Sequence, residues 1–287
     1  MISYLYQYTR DIRALFRGNK PTSKLKLFLL YNWLCAKNVV LTKILKTHPK
    51  KQKILGYTVL FDNFNSFFAM FSEIFIHGVY ETKISEKTPT IVDCGANIGL
   101  SVLYFKKVFP HSKVLAFEPD PRTFRLLEKN IKNNQLVDVQ LFNKAVGEKK
   151  EKLTLYSFND FEGGPGNTID AKYISFKNKK EFEVEVLPIS SLNLEKIDIL
   201  KIDVEGAESF IFKDLVKNNL LEKVKVLHLE YHYNYETDQN KLSYIIQSLE
   251  QSKFNYMINP DTLINDLVTL DECLKLKRYV LIITGYH

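Results

Sequence analysis

Residues 90–99, Thr90-Ile91-Val92-Asp93-Cys94-Gly95-Ala96-Asn97-Ile98-Gly99, run from an apolar strand straight into a glycine-spaced turn. Glycine between a strand and a helix lets backbone approach a ligand closely and aims unpaired N–H groups at it. The G-x-N-x-G spacing departs from the G-x-G-x-x-G of dinucleotide binders, which disfavours a nicotinamide-dependent oxidoreductase. Nineteen residues after Gly99 the next strand ends at Glu118, where a carboxylate can accept hydrogen bonds from both ribose hydroxyls of a nucleoside. A tight turn or a surface glutamate would explain either feature alone. Together they favour a nucleoside site.

Outward from this turn the chain repeats strand, turn, helix. Strands are predicted at 90–93, 113–118, 139–143, 197–203 and 224–230, with helices at about 99–109, 121–134, 206–217 and 240–251. Alternating βα units with apolar strands predict a parallel sheet covered on both faces. Segments 254–258 and 279–284 have no helical crossover between them and predict an antiparallel edge hairpin. The rhythm breaks between the third and fourth strands, where 152–156 and 182–187 alternate like paired strands around Glu162-Gly163-Gly164-Pro165-Gly166-Asn167-Thr168. This predicts a hairpin insertion at about 147–190 with a mobile tip, either a functional loop or a solvated turn.

Four motifs in order carry a resemblance: Val92-Asp93-Cys94-Gly95-Ala96-Asn97-Ile98-Gly99, Phe117-Glu118-Pro119-Asp120-Pro121, Asn143-Lys144-Ala145-Val146-Gly147 and Leu200-Lys201-Ile202-Asp203-Val204-Glu205-Gly206-Ala207-Glu208. Over about residues 73–235 the chain resembles the FkbM family of class I S-adenosylmethionine-dependent methyltransferases. Residues 1–60 fall outside. The resemblance implies an α/β, Rossmann-like sheet of seven strands, mostly parallel, whose last strand is antiparallel. It also implies that Gly95, Ala96, Asn97 and Gly99 wrap the cofactor, with Asp93 supporting them and Glu118, followed by Pro119, holding the ribose. Asn143, Lys144 and Ala145 would border the adenine, Asp203 would face the sulfonium and amino group, and Tyr80 would close over the cofactor. The implied activity is O-methylation of a sugar, glycan or other polyhydroxylated natural product. Alternatives are N- or carboxyl-methylation, or a silent module that binds cofactor or partner, against which the intact Asp203, Glu205 and Glu230 argue.

Methyl transfer needs alignment and, for an alcohol, a proton acceptor. Side chains two apart share a strand face, so His228, Glu230 and His232 form one row, with Asp203 on the neighbouring strand. Asp203, Glu230 and His232 lie at strand carboxyl ends and are the expected catalytic group, with Glu205 next and Glu208 divided between substrate contact and helix N-terminal charge. Lys201 inside a strand needs a partner, and Glu230 or Glu205 is expected. No metal is expected: His228 and His232 stand about 13 Å apart on an extended strand, although Asp203, Glu230 and one histidine could share an ion.

The 287 residues, 45% hydrophobic and 25% charged, fit a globular protein and exclude fibrous or disordered classes. The net charge of +7 is uneven: residues 1–56 hold twelve Lys/Arg and one acid, giving +11, and the remainder carries −4. A basic arm on a mildly acidic body disfavours nucleic acid and favours a membrane surface, an anionic substrate or a second subunit. Amphipathic helices are predicted at 2–17 and 24–46, a strand at 57–61 and a helix at 64–79. The expected organisation is a helical arm (1–56), a lead-in (57–88) and a methyltransferase domain (89–287). Three dispersed cysteines and the lack of a spanning or signal segment predict a cytoplasmic chain. The arm contacts either a membrane or a homodimer partner.

Overall fold

The computed structural model describes residues 2–47, 49–157, 180–234, 240–260 and 278–287. Helix α1 (Ile2–Phe16) is followed by α2 (Lys24–Asn38), whose Ser23 cap accepts from the Lys26 N–H. A π-helical turn, Val39–Ile44, completes the predicted second helix. Strands β1 (Lys51–Ile54) and β2 (Tyr57–Leu60) pair antiparallel. Helix α3 (Phe64–Phe71) then runs into a second π-helical turn, Ser72–His77.

The sheet domain contains β3 (Thr90–Cys94), α4 (Leu100–Val108), β4 (Lys113–Phe117), α5 (Pro121–Asn133), β5 (Val139–Phe142), β6 (Ala145–Val146), β7 (Glu151–Ser157), β8 (Lys180–Leu187), β9 (Ile197–Ile202), α6 (Glu208–Lys217), β10 (Val224–Asn234), α7 (Leu242–Gln251), β11 (Asn255–Pro260) and β12 (Arg278–Tyr286). Seven strands form one sheet in the order β11-β12-β10-β9-β3-β4-β5. The pairs from β10 to β5 are parallel, and β12 is antiparallel to both neighbours. The late strands pair as expected, but β12 inserts between β10 and β11, which leaves β11 at the edge. Strands β7 and β8 form the expected antiparallel pair. The predicted loop at 162–168 lies outside the described residues.

Every residue of β9 is buried, as a central parallel strand requires. Ile199, Leu200 and Ile202 each contribute about 1.5–3 kcal/mol by leaving water. Two apolar clusters sandwich the sheet, one under α6 and α7, the other shared by α3, α4 and the N-terminal helices. Leu15, Leu27, Tyr31 and Leu34 belong to the latter, so one face of the N-terminal helices is part of the body.

A buried polar pin reinforces that packing. Asp11 accepts from the Tyr31 hydroxyl (2.7 Å) and the Ser72 hydroxyl (3.0 Å), with His77 Nε2 at 2.8 Å and Arg10 at 3.2 Å. Burial opposes its charge, but the bonds from His77 and Tyr31 outweigh that and hold its pKa below the usual value. No described helix is long and apolar enough to cross a membrane.

Candidate active site

At the carboxyl end of β3 the chain takes left-handed backbone at Gly95 (φ 88°), Asn97 (φ 50°) and Gly99 (φ 94°). The Gly95 and Ala96 N–H groups both donate to the Phe117 carbonyl (3.0 and 2.8 Å), which ties the turn to β4. A Cβ on Gly95 would stand 1.8 Å from the Asp203 carbonyl oxygen, so the close approach of two strand ends demands glycine. From below, the Asn130 amide donates to the carbonyls of Ile98 (2.8 Å) and Leu60 (2.9 Å).

Glu118, just past β4, faces this turn. Its carboxylate accepts from the Asn97 N–H (3.0 Å) and the Asp120 N–H (2.9 Å). Burial, with Asp120 nearby, pushes its pKa up to about 8 against those two donors. The Asn143 amide braces the same segment by donating to the carbonyls of Glu118 (2.9 Å) and Pro119 (3.1 Å).

Beneath the turn lies Lys201, 2% exposed along its side chain. Its ammonium donates to the Gly95 carbonyl (2.5 Å) and stands 3.2 Å from Asp93 and 3.4 Å from Asp203. Burial alone would discharge it; Asp93, with Tyr80 and Asp203, outweighs burial and holds its pKa well above the ordinary value. These partners correct the expected pairing with Glu230 or Glu205. In the parallel register Lys201 sits directly beside Asp93, which places the two charges together. Asp93 also accepts from the Ser101 hydroxyl (2.5 Å).

The ends of β9 and β10 gather carboxylates around one imidazole. His232 Nε2 lies 3.4 Å from both Glu205 and Glu230, and Nδ1 lies 2.9 Å from Glu208. Burial disfavours the imidazolium, but Glu205, Glu208 and Glu230 outweigh it, so His232 is held as a cation. Burial and Asp203 push Glu230 up to about 7, opposed by His232. Glu205 itself has left-handed backbone (φ 54°), uncommon for a residue with a side chain. Glu208 is buried and accepts from the Gly206 N–H (3.0 Å) and the Asn240 amide, so it positions His232 from behind. Among the described residues Asp203, Glu205 and His232 form the one group whose ligand atoms lie close enough, within 4.8 Å, for a shared ion. Glu205 takes the place in that trio that the sequence offered to Glu230.

Residues 93–256 match the Methyltransferase FkbM domain family, a span of more than half the chain. The chain belongs to the FkbM methyltransferase family. Methyltransferase 1 of Beauveria bassiana is 30% identical over 175 residues, covering 52% of this chain and 70% of that protein. Methyltransferase sdnD of Sordaria araneosa is 30% identical over 189 residues, covering 53% and 73%. The 2-O-methyltransferase NoeI of Sinorhizobium fredii is 25% identical over 174 residues, covering 56% and 70%.

For an FkbM methyltransferase the expected cofactor is S-adenosylmethionine, and the residues present fit it. The ends of β9 and β10 carry Asp203, Glu205 and Glu230 against the cations of Lys201 and His232. That negative balance suits a ligand with sulfonium and ammonium charges. Glu118, fixed by two backbone donors, retains lone pairs for a diol. Of the other expected residues, Ala96 is buried in the turn and Tyr80 packs on Tyr104 and Phe105, with the Lys201 ammonium 5.9 Å from its ring. The Lys144 ammonium donates to Glu185 (2.6 Å), and Ala145 enters β6.

Two contributors, Asn240 and Thr82, escaped the sequence reading. Asn240 accepts from the Ser209 N–H (2.9 Å) and hydroxyl (2.8 Å) while its amide donates to the His232 carbonyl (3.0 Å). Thr82 lies 2.5 Å from His228 Nε2, and burial pushes that imidazole down to about 4, so His228 is neutral. Contacts across 8 to 146 positions reveal these roles, and no local motif signals them.

Proposed function

We propose that this FkbM methyltransferase transfers a methyl group from S-adenosylmethionine to a hydroxyl of a sugar or other polyhydroxylated acceptor. The observation that carries the reading is the carboxylate cluster at the ends of β9 and β10, where Glu230 stands 3.4 Å from His232 and burial raises its carboxyl above the usual range, as a base for an alcohol proton requires. The name of the relative NoeI, a 2-O-methyltransferase, supports the same acceptor chemistry. On this reading residues 89–287 are the methyltransferase domain, 57–88 lead into it and 1–56 form the arm.

Gly95, Ala96, Asn97 and Gly99 would line the cofactor's methionine and ribose portion, Glu118 its ribose hydroxyls, and Pro119, Asn143, Lys144 and Ala145 its adenine. When bound, the cofactor supplies an electrophilic methyl carbon on a sulfonium. The Glu230 carboxylate accepts the proton that the acceptor hydroxyl loses as its oxygen forms the new bond. Asp203 and Glu205 accept hydrogen bonds from neighbouring hydroxyls and fix which oxygen is presented. His232, already protonated, is not the base; it holds Glu205 and Glu230 in place. Tyr80 walls the cleft and excludes water.

Incubation with labelled S-adenosylmethionine and a panel of sugars, polyols, amines and carboxylic acids tests this reading. Label recovered as a methyl ether supports it. Label confined to amines or to base-labile esters would reject the hydroxyl assignment.

A further inference from the structure

Helix α2 has apolar side chains on two opposite sides. Leu27, Tyr31, Leu34 and Cys35 are buried in the body. Leu25, Leu29 and Trp33 recur every fourth residue on the far side and are 66%, 60% and 51% exposed. At 3.6 residues per turn those three fall on one stripe, which Val40 continues. A helix that is apolar all round belongs in a protein interior or in lipid, and here only half of it has an interior. Nine of the thirteen large hydrophobic side chains that stand exposed among the described residues lie between positions 5 and 45, so the exposure is concentrated on this one segment.

The segment that carries the stripe is charged almost entirely with one sign. Residues 1–56 carry +11, and their only acid, Asp11, is fully buried and engaged by Tyr31, Ser72 and His77. Lys26 is exposed on α2 next to Leu25, and Arg13 and Arg17 are exposed at the end of α1. The Lys37 ammonium sits 4.8 Å from the centre of the Trp33 ring, an amphipathic pairing suited to a boundary between oil and water.

We propose that this outer face of α1 and α2 docks on an anionic lipid bilayer. Leu25, Leu29 and Trp33 would enter the boundary between headgroups and acyl chains, and the surrounding Lys and Arg would meet lipid phosphates. A second copy of the chain is the poorer occupant, because two such faces would bring exposed Arg13, Arg17 and Lys26 against the same cations of the other copy. The Asn19 N–H donates to Glu81 (2.7 Å) and the Lys20 ammonium to the Ile76 carbonyl (2.7 Å), so the docked face is fastened to the segment that leads to Tyr80.

Trp33 is the sole tryptophan, so its fluorescence reports on this face alone. The full chain is titrated with vesicles of phosphatidylcholine and of phosphatidylcholine with phosphatidylserine, at low and high salt. The expected result is a blue shift and loss of acrylamide quenching with the anionic vesicles only, reversed by salt. Leu29→Ser should weaken the apparent partition about tenfold, and Arg13→Gln with Arg17→Gln and Lys26→Gln should remove the salt dependence. Retained S-adenosylmethionine binding certifies that each variant is folded. An unchanged spectrum with both vesicles, equal binding to neutral vesicles, or a blue shift that depends on protein concentration without lipid would each overturn the proposal, the last in favour of a dimer.

Discussion

The buried Lys201 ammonium donates to the Gly95 carbonyl at 2.5 Å while standing 3.2 Å from Asp93, so one side chain fastens the cofactor turn to the central strand. Lys201→Met removes the cation and leaves the buried Asp93 charge with the Ser101 hydroxyl but no counter-ion. Breaking such a pair costs about 3–5 kcal/mol, which thermal unfolding should report as a large fall in Tm. Asp93→Asn in the same background should recover part of it. A Tm equal to that of the wild type would mean that the pair does not hold the turn.

Gly95 and Gly56 offer a matched comparison. Both have positive φ, 88° and 98°, but a Cβ at Gly56 meets nothing within 4 Å. Gly56→Ala should therefore cost only the left-handed strain of about 1–2 kcal/mol. Gly95→Ala adds a collision with the Asp203 carbonyl, and calorimetry should find S-adenosylmethionine binding abolished. Equal behaviour of the two variants would refute the close-approach argument.

With Glu118 at the ribose, cofactor binding should depend on pH. Its pKa of about 8 in the free protein means that it is mostly protonated at neutral pH. Ribose hydroxyls donate best to the ionised form, so binding expels a proton. Affinity should rise with pH and level off above about 8, and calorimetry at pH 7 in buffers of different ionisation enthalpy should register proton release. Glu118→Gln should flatten the profile and weaken binding by about 1.5–3 kcal/mol. A flat wild-type profile would remove Glu118 from the ribose.

His232 is held as a cation by three carboxylates, which bears on the metal question. An ion beside Asp203 and Glu205 would have to displace the proton from Nε2. Turnover should therefore survive exhaustive chelation, and restoration of lost activity by added magnesium, manganese or zinc would show that the cluster is a metal site.

The glycine turn, Glu118 and the parallel rhythm were legible because they are local: short continuous apolar runs in the strands, period 3.6 in the helices, and a turn that only glycine fits. What escaped was the neighbour relation. Lys201 lies beside Asp93 because β9 pairs with β3, an order that no local pattern states. Strand β1, Lys51-Gln52-Lys53-Ile54, hides its alternation under charge. Glu208 reads as helix N-terminal charge until β10 brings His232 against it.

The role of Glu230 as base is decided by kcat against pH for the wild type and Glu230→Gln, with S-adenosylmethionine Kd measured on both. Burial raises the Glu230 pKa to about 7, so the carboxylate that serves as base is lost as pH falls through that value. The wild-type kcat should rise through about pH 7, whereas Glu230→Gln should be slower by about 10²–10⁴-fold with that inflection gone and Kd unchanged. A variant that keeps near-normal kcat and the same inflection would contradict the assignment of Glu230 as the base.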